Sequence, residues 1–413
     1  MIFLYTLLAS LLFLCVYRSL RYKFSVFTLY VGISSFYYIP LILISSNFRN
    51  LPIFQPLLRD QYFINYFQYF DTVQITILML GIFSCLGYLL PIKSVDFGVL
   101  ISKASLRFSL NTLLYLLFSV YSYLYFTSAR TNIFNPVFSG YYQFLLLLPE
   151  FISLCLSLYL FFLRKIPFYF LFMYALLLIS FVFLHKRLEL ISSIYVLFSS
   201  FCLTFSRQYK NLVPLSFLLL VFILFIVVFV SNIRSSVSFS FAQLLYAPLL
   251  EPFLASQSFL GYLSLYQVPR FSFVNTYASL LSLVPTPLFP NKWDHLFSLG
   301  YLNNREINLD GANIIITGLY DDFGIYGVCI FSFVLCCMLR LIDNSKFYFA
   351  NHVLTSKLHI NFYALLYFSL PFAFFHFRDG LAITVKYLLQ FTFFPIFLFL
   401  FFGRFKLFKT FSS

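Results

Sequence analysis

The chain has 413 residues, of which 62% are apolar and 23% aromatic, while Asp, Glu, Lys and Arg together reach only 10%. A soluble domain carries about 25% charged residues, so a single water-soluble core is excluded and a polytopic membrane protein is expected. The net charge of +14 would suggest nucleic acid in a soluble protein, but these bases fall in short gaps between apolar runs, where they report topology and no nucleic-acid partner.

A bilayer core about 30 Å thick takes roughly 20 apolar residues per helix. Runs of that kind fall at 1–17, 24–46, 72–92, 108–127, 143–163, 166–184, 190–206, 212–231, 314–340, 361–377 and 381–402. They predict an all-α integral membrane fold of about 11 transmembrane helices. Stretches such as Leu218 to Val230 do not alternate apolar and polar residues, which argues against the strands of a barrel. The first run begins at Ile2 without a basic leader and reads as a retained span, not a removed signal peptide. All 7 cysteines lie inside apolar runs without metal-ligand spacing, so they read as small buried hydrophobes and no metal is expected. Glu150 is the one acid set deep in a run; it reads as a helix-start residue after Pro149, with a proton or ion relay as the alternative.

Sorting charges by loop parity separates two faces. The odd-numbered gaps and the C-terminal tail carry Lys and Arg with only Asp96 and Asp343 as acids, whereas the even-numbered gaps mix bases with most of the carboxylates. The positive-inside rule then places the mixed-sign face outside the cytoplasm. The chain divides into helices over 1–231, a long external loop at 232–311, and the last helices with a basic cytoplasmic tail at 312–413. The loop contains Pro248, Pro252, Pro269, Pro285, Pro287 and Pro290 and apolar pieces too short to span, which predicts short interfacial helices.

Candidate functional residues gather on that face. Arg187, Arg234, Arg270 and Arg378 are external guanidiniums, each able to donate paired hydrogen bonds to phosphate oxygens; the bland reading of such turns is snorkelling bases. Lys292-Trp293-Asp294-His295 puts a base, the only Trp, an acid and a His together. That group suits a sugar platform with a proton acceptor, or equally an interfacial anchor. Asp321 and Asp322 lie near the start of the run that follows, where acids also favour the helix dipole. No Gly-rich nucleotide cradle occurs, and no cofactor is expected.

These residues lead to a resemblance. Val268-Pro269-Arg270, Asn275-Thr276-Tyr277, Leu283-Val284-Pro285 and Pro290-Asn291-Lys292 are similar to the external loop of the O-antigen and oligosaccharide repeat-unit polymerases of the Wzy type. Tyr320-Asp321-Asp322-Phe323-Gly324-Ile325-Tyr326-Gly327 resembles that family's approach to its next helix, and Phe377-Arg378-Asp379-Gly380 its Arg-bearing turn. The chain departs from the family in having His185-Lys186 before Arg187 and Thr286 after Pro285.

The resemblance implies a multi-pass enzyme of the bacterial inner membrane. Such a glycosyltransferase moves a growing glycan from undecaprenyl pyrophosphate to a lipid-linked oligosaccharide repeat unit on the periplasmic face, in O-antigen or capsule biosynthesis. Membrane lipid and a chain-length regulator protein are its implied partners. Arg187, Arg234, Arg270 and Arg378 would hold pyrophosphate with Lys292 assisting, Trp293 would carry sugar, and Asp294, His295 or Asp322 would be the base. An O-antigen ligase, or a flippase or other transporter of lipid-linked oligosaccharide, are the rival readings.

Overall fold

The structure is a computed structural model and describes residues 2–19, 25–44, 68–92, 96–128, 143–183, 187–205, 255, 257–284, 288–301, 313–349, 357–377, 379–402 and 407–410. Long runs of Leu, Phe and Ile satisfy their backbone N–H and C=O groups most simply as helices. The helices are α1 (Ile2–Ser19), α2 (Val26–Ile44), α3 (Phe70–Leu89), α4 (Lys103–Ser128), α5 (Gln143–Leu163), α6 (Phe168–Phe183), α7 (Arg187–Phe205), α8 (Val274–Leu281), α9 (Lys292–Ser298), α10 (Ile315–Phe349), α11 (Phe362–Phe375) and α12 (Gly380–Phe402). A further helical stretch covers 257–266. Helices therefore cover every expected run except 212–231, which lies outside the described residues.

Among the described residues, Phe70–Leu89 and Ile315–Ser345 are long and apolar enough to cross a membrane, which makes membrane association plausible; eleven spans are not shown. The other apolar helices are shorter by the same measure.

The chain folds into two compact units, each built from three separate stretches of chain. The first gathers Met1–Ser94, Leu249–Asn344 and Ala373–Gln390. The second gathers Val95–Pro248, Ser345–Phe372 and Phe391–Ser413.

In the second unit α5 packs along α7. Glu150 lies within α5, fully buried, and accepts a hydrogen bond from Ser192 Oγ on α7 at 2.7 Å. The helix-start reading is thereby corrected, because Pro149 is also inside the helix and does not begin it. Three short strands, β1 (Asp96–Ser102), β2 (Lys357–Asn361) and β3 (Leu407–Thr410), pair antiparallel in the order β2-β1-β3. The pairings set Gly98 opposite Asn361 and Asp96 opposite Thr410. This small sheet adds to the helical frame and was not expected. Its strands sit in the charged gaps, where a search for long apolar runs does not look.

In the first unit α1 and α2 both pack on α3. Asp343, fully buried on α10, accepts hydrogen bonds from Val26 N at 2.9 Å, Tyr88 Oη at 2.9 Å and Ser25 Oγ. It thus supplies an acceptor to the N-terminus of α2, where the first backbone N–H groups have no partner of their own. One of the two acids on the base-rich face therefore holds helices together.

α10 is broken at Gly324, whose φ of 63° and ψ of −159° fall outside the helical region. That region is populated essentially by glycine. A Cβ at this position would also come within 3.2 Å of Pro269 Cγ and 3.4 Å of the Phe271 ring. Gly324→Ala is expected to lower stability by about 1–3 kcal/mol, read as a shift in thermal unfolding; an unchanged midpoint would show that the break tolerates a side chain.

Candidate functional site

The break at Gly324 leaves a short helical piece, 315–323, that ends in Asp321, Asp322 and Phe323. The last carbonyls of such a piece lack intrahelical partners. Here the Asp321 carbonyl accepts the Phe271 N–H at 2.9 Å. The two carboxylates therefore stand at the C-terminal end of this piece and not in the first turn of α10, which corrects the expected dipole role.

Both carboxylates are fully buried and both are fully engaged. Arg270 donates Nε–H to Asp321 Oδ1 at 2.6 Å and a terminal N–H to Oδ2 at 2.5 Å. Its other terminal nitrogen donates to the Gly300 carbonyl at 3.0 Å, and its guanidinium lies 4.6 Å from the centre of the Tyr266 ring. The Asp321 hydrogen bonds raise the guanidinium pKa further above its ordinary value. Tyr262 Oη is 2.9 Å from Asp321 Oδ1, and burial beside that charge pushes its phenol pKa well up. Arg270 is thus a bracket joining the 257–266 helix, the turn after α9 and α10, with three of its five N–H groups donated to the protein.

Asp322 serves a neighbouring helix. α8 begins after Phe273, a left-handed residue that offers no capping side chain. Asp322 supplies the cap from α10: Oδ1 accepts from Asn275 N at 3.2 Å, and Oδ2 from Thr276 N at 2.6 Å and Thr276 Oγ1 at 2.7 Å. The Asn275 amide divides its two hydrogens between Asp321 Oδ2 at 2.6 Å and Asp322 Oδ1 at 2.9 Å. Both oxygens of Asp322 are thus occupied by donors of the protein itself, and the geometry gives this carboxylate a capping task.

α8, α9 and α12 meet through a buried cluster of Ala278, Leu296 and Ala382. Gly318 lets α10 come close to the same place, since a Cβ there would sit 2.9 Å from Leu381 Cβ. On α9, Lys292 is buried and donates Nζ–H to the Val284 carbonyl at 2.6 Å. Burial lowers its pKa. Trp293 is 38% exposed, with Lys292 Nζ 5.8 Å and Tyr301 6.2 Å from its ring. Tyr301 has its phenol pKa pushed up to about 12 by burial and by the charge of Asp322. Asp294 and His295 are exposed. Asp294 accepts no hydrogen bond from any described residue, and His295 has Phe289 at 5.8 Å and Tyr277 edge-on at 6.2 Å.

The structure therefore brings Arg270, Lys292, Trp293, Asp294, His295 and Asp322 together in the first unit. Arg187 opens α7 in the second unit, with its side chain outside the described residues. Arg234 and Arg378 also lie outside them. Sequence reading did not single out His376. Its Nδ1 is 2.6 Å from Asp379 Oδ2, its ring stacks on Tyr387 at 3.7 Å, and its carbonyl accepts Thr384 Oγ1–H at 2.9 Å. The adjacent His376 and Asp379 in a three-residue spacing were the available signal.

Beside these polar groups runs an apolar groove of about 610 Å³. Leu319, Phe323, Ile330, Val334 and Met338 line it along α10, with Leu388 on α12 opposite. Phe271 also lines it, so that with Phe323 the chain neighbours of Arg270 and Asp322 both face the groove, while Ile330 and Val334 are more than half exposed. No cluster of metal ligands occurs among the described residues. Compared with known proteins, the chain matches no family model, no curated protein and no solved structure.

Proposed function

We propose that the chain is a multi-pass inner-membrane glycosyltransferase that extends a glycan carried on undecaprenyl pyrophosphate with a lipid-linked oligosaccharide unit. The observation that carries this reading is an open apolar groove along α10 that reaches Phe271 and Phe323, the chain neighbours of Arg270 and Asp322, with Arg270 in turn tied to the turn after α9. A polyprenyl tail suits such a groove, and its polar head would then lie at that end. The sequence resemblance and the two long apolar helices support the same reading. The antiparallel sheet supports the topology, because β1, β2 and β3 come from gaps that charge parity assigns to one face.

In this reading the acceptor sugar hydroxyl attacks the anomeric carbon of the donor, the bond to pyrophosphate breaks, and the pyrophosphate oxygen keeps the electron pair. Asp294 or His295 takes the hydroxyl proton, Trp293 carries the apolar face of a sugar ring, and Lys292 neutralises the leaving group. Arg270 and Asp322 hold this frame and do not touch substrate.

The test is a gene deletion complemented with the wild-type chain, Asp294→Asn, His295→Ala or the double variant, followed by gel analysis of surface polysaccharide. Single-unit product in the deletion and in the double variant is the expected result. A normal ladder in the double variant would remove both bases. Unattached full-length chains would indicate a ligase, and absence of all surface sugar a flippase.

A further inference from the structure

α8 carries its polarity inside out. Phe273 at its start, Tyr277 and Leu280 follow the i, i+4, i+7 spacing and form one exposed stripe, with Phe273 and Leu280 more than half exposed. Asn275, Ser279 and Ser282 repeat the same spacing on the opposite side and are buried. That side is satisfied within the protein. The Asn275 amide donates to Asp321 and Asp322, Ser279 Oγ to the Asn275 carbonyl at 2.8 Å, and Ser282 Oγ to the Ser279 carbonyl at 2.7 Å. Thr276 also turns its hydroxyl to Asp322. A surface helix in water has the reverse arrangement, polar residues outward and apolar ones inward.

The neighbours of the stripe say what covers it. Phe273 meets the Phe323 ring edge-on at 5.2 Å, and Phe323 lines the apolar groove with Tyr326, Ile330 and Val334. Those last three are more than half exposed and belong to Ile315–Ser345, one of the two described stretches long and apolar enough to cross a membrane. The outer stripe of α8 thus continues the exposed apolar face of a helix fitted to lipid. α9 ends that surface. It lies beside α8, with Tyr277 edge-on to His295 at 6.2 Å, and exposes Asp294 and His295 next to Trp293. Ionisable side chains are costly in hydrocarbon, whereas Tyr and Trp favour the boundary between lipid and water.

We infer that the face of α8 formed by Phe273, Tyr277 and Leu280 is seated in the acyl-chain region of the bilayer, and that the membrane boundary runs between this face and α9. The partner is the lipid surface itself. Beyond the expectation of short interfacial helices, this gives one helix of the long loop a lipid-facing side and a depth. It requires a membrane and does not require glycan transfer. It also gives a reason for the carboxylates beneath α8: donors on a lipid-covered helix find no water, so they must be met from within the protein, here by Asp321 and Asp322 of α10.

Trp293 is the only Trp in the chain, which makes fluorescence a direct test. The full chain is reconstituted in phosphatidylcholine nanodiscs with ordinary or brominated acyl chains, and emission is read with and without iodide. The wild type reports on α9; Leu280→Trp combined with Trp293→Phe reports on α8. The α8 reporter is expected to emit at shorter wavelength than the wild type, to lose its emission in brominated lipid and to keep it in iodide. Trp293 is expected to lose more emission to iodide than the α8 reporter does. Should Leu280→Trp disturb folding, Tyr277→Trp or Phe273→Trp in the same background reads the same stripe. Loss of the α8 emission to iodide and none to brominated lipid would place the stripe in water and overturn the inference. Emission untouched by either quencher would mean that protein covers the stripe, a second copy of the chain included, and would overturn it too. Equal bromine quenching of both reporters would remove the boundary between α8 and α9. A lipid-quenched α8 in a chain whose deletion leaves surface polysaccharide normal would keep this inference while removing the transferase reading, so the two can fail separately.

Discussion

Arg270→Ala is expected to cost about 3–5 kcal/mol of stability, because it leaves the fully buried Asp321 carboxylate without its cation. The guanidinium satisfies both Asp321 oxygens and the Gly300 carbonyl, so the loss reaches α10 and the turn after α9 together. Arg270→Lys should recover only part of it, since an ammonium is a point charge and does not reproduce the paired geometry. Arg270→Met combined with Asp321→Leu should recover more than either single change, because no buried charge then remains. Denaturant unfolding of these five variants, the two single changes included, reads the differences directly. If Arg270 served mainly as a phosphate ligand, Arg270→Ala would unfold like the wild type and differ only in its response to pyrophosphate.

Asp322→Ala should lower stability by about 3 kcal/mol, from a lost helix cap and from donors left without partners. The Asn275 and Thr276 N–H groups, the Asn275 amide and the Thr276 hydroxyl all depend on this one carboxylate. Asp322→Asn is the sharper variant, for it keeps the shape but turns an N–H₂ towards groups that already donate. A capping role predicts that Asp322→Asn also lowers the unfolding midpoint and frays α8, which hydrogen exchange at Ala278 to Leu281 would detect. A wild-type midpoint with all product lost would instead return Asp322 to the role of base.

Both residues illustrate how far the sequence could be read. Arg270 and the acid pair stood out because charges are rare in so apolar a chain, and that rarity correctly marked a place where the fold had something to organise. What a charge does there depends on which groups surround it. Asp322 and its α8 partners lie more than forty residues apart, and no local pattern links them. The same holds for Asp343, whose partners Ser25, Val26 and Tyr88 come from distant parts of the chain.

Hydropathy and charge rarity belong to single residues and their neighbours, so the sequence alone determined where the described helices form and that they are apolar enough for membrane association to be plausible. Tertiary structure decided the tasks. It made Asp321 an anchor, Asp322 and Asp343 caps, Glu150 a buried helix-to-helix acceptor, and three loop segments a sheet. The reason is that a buried polar group takes its role from whichever partner satisfies it, and that partner is chosen by packing across the fold.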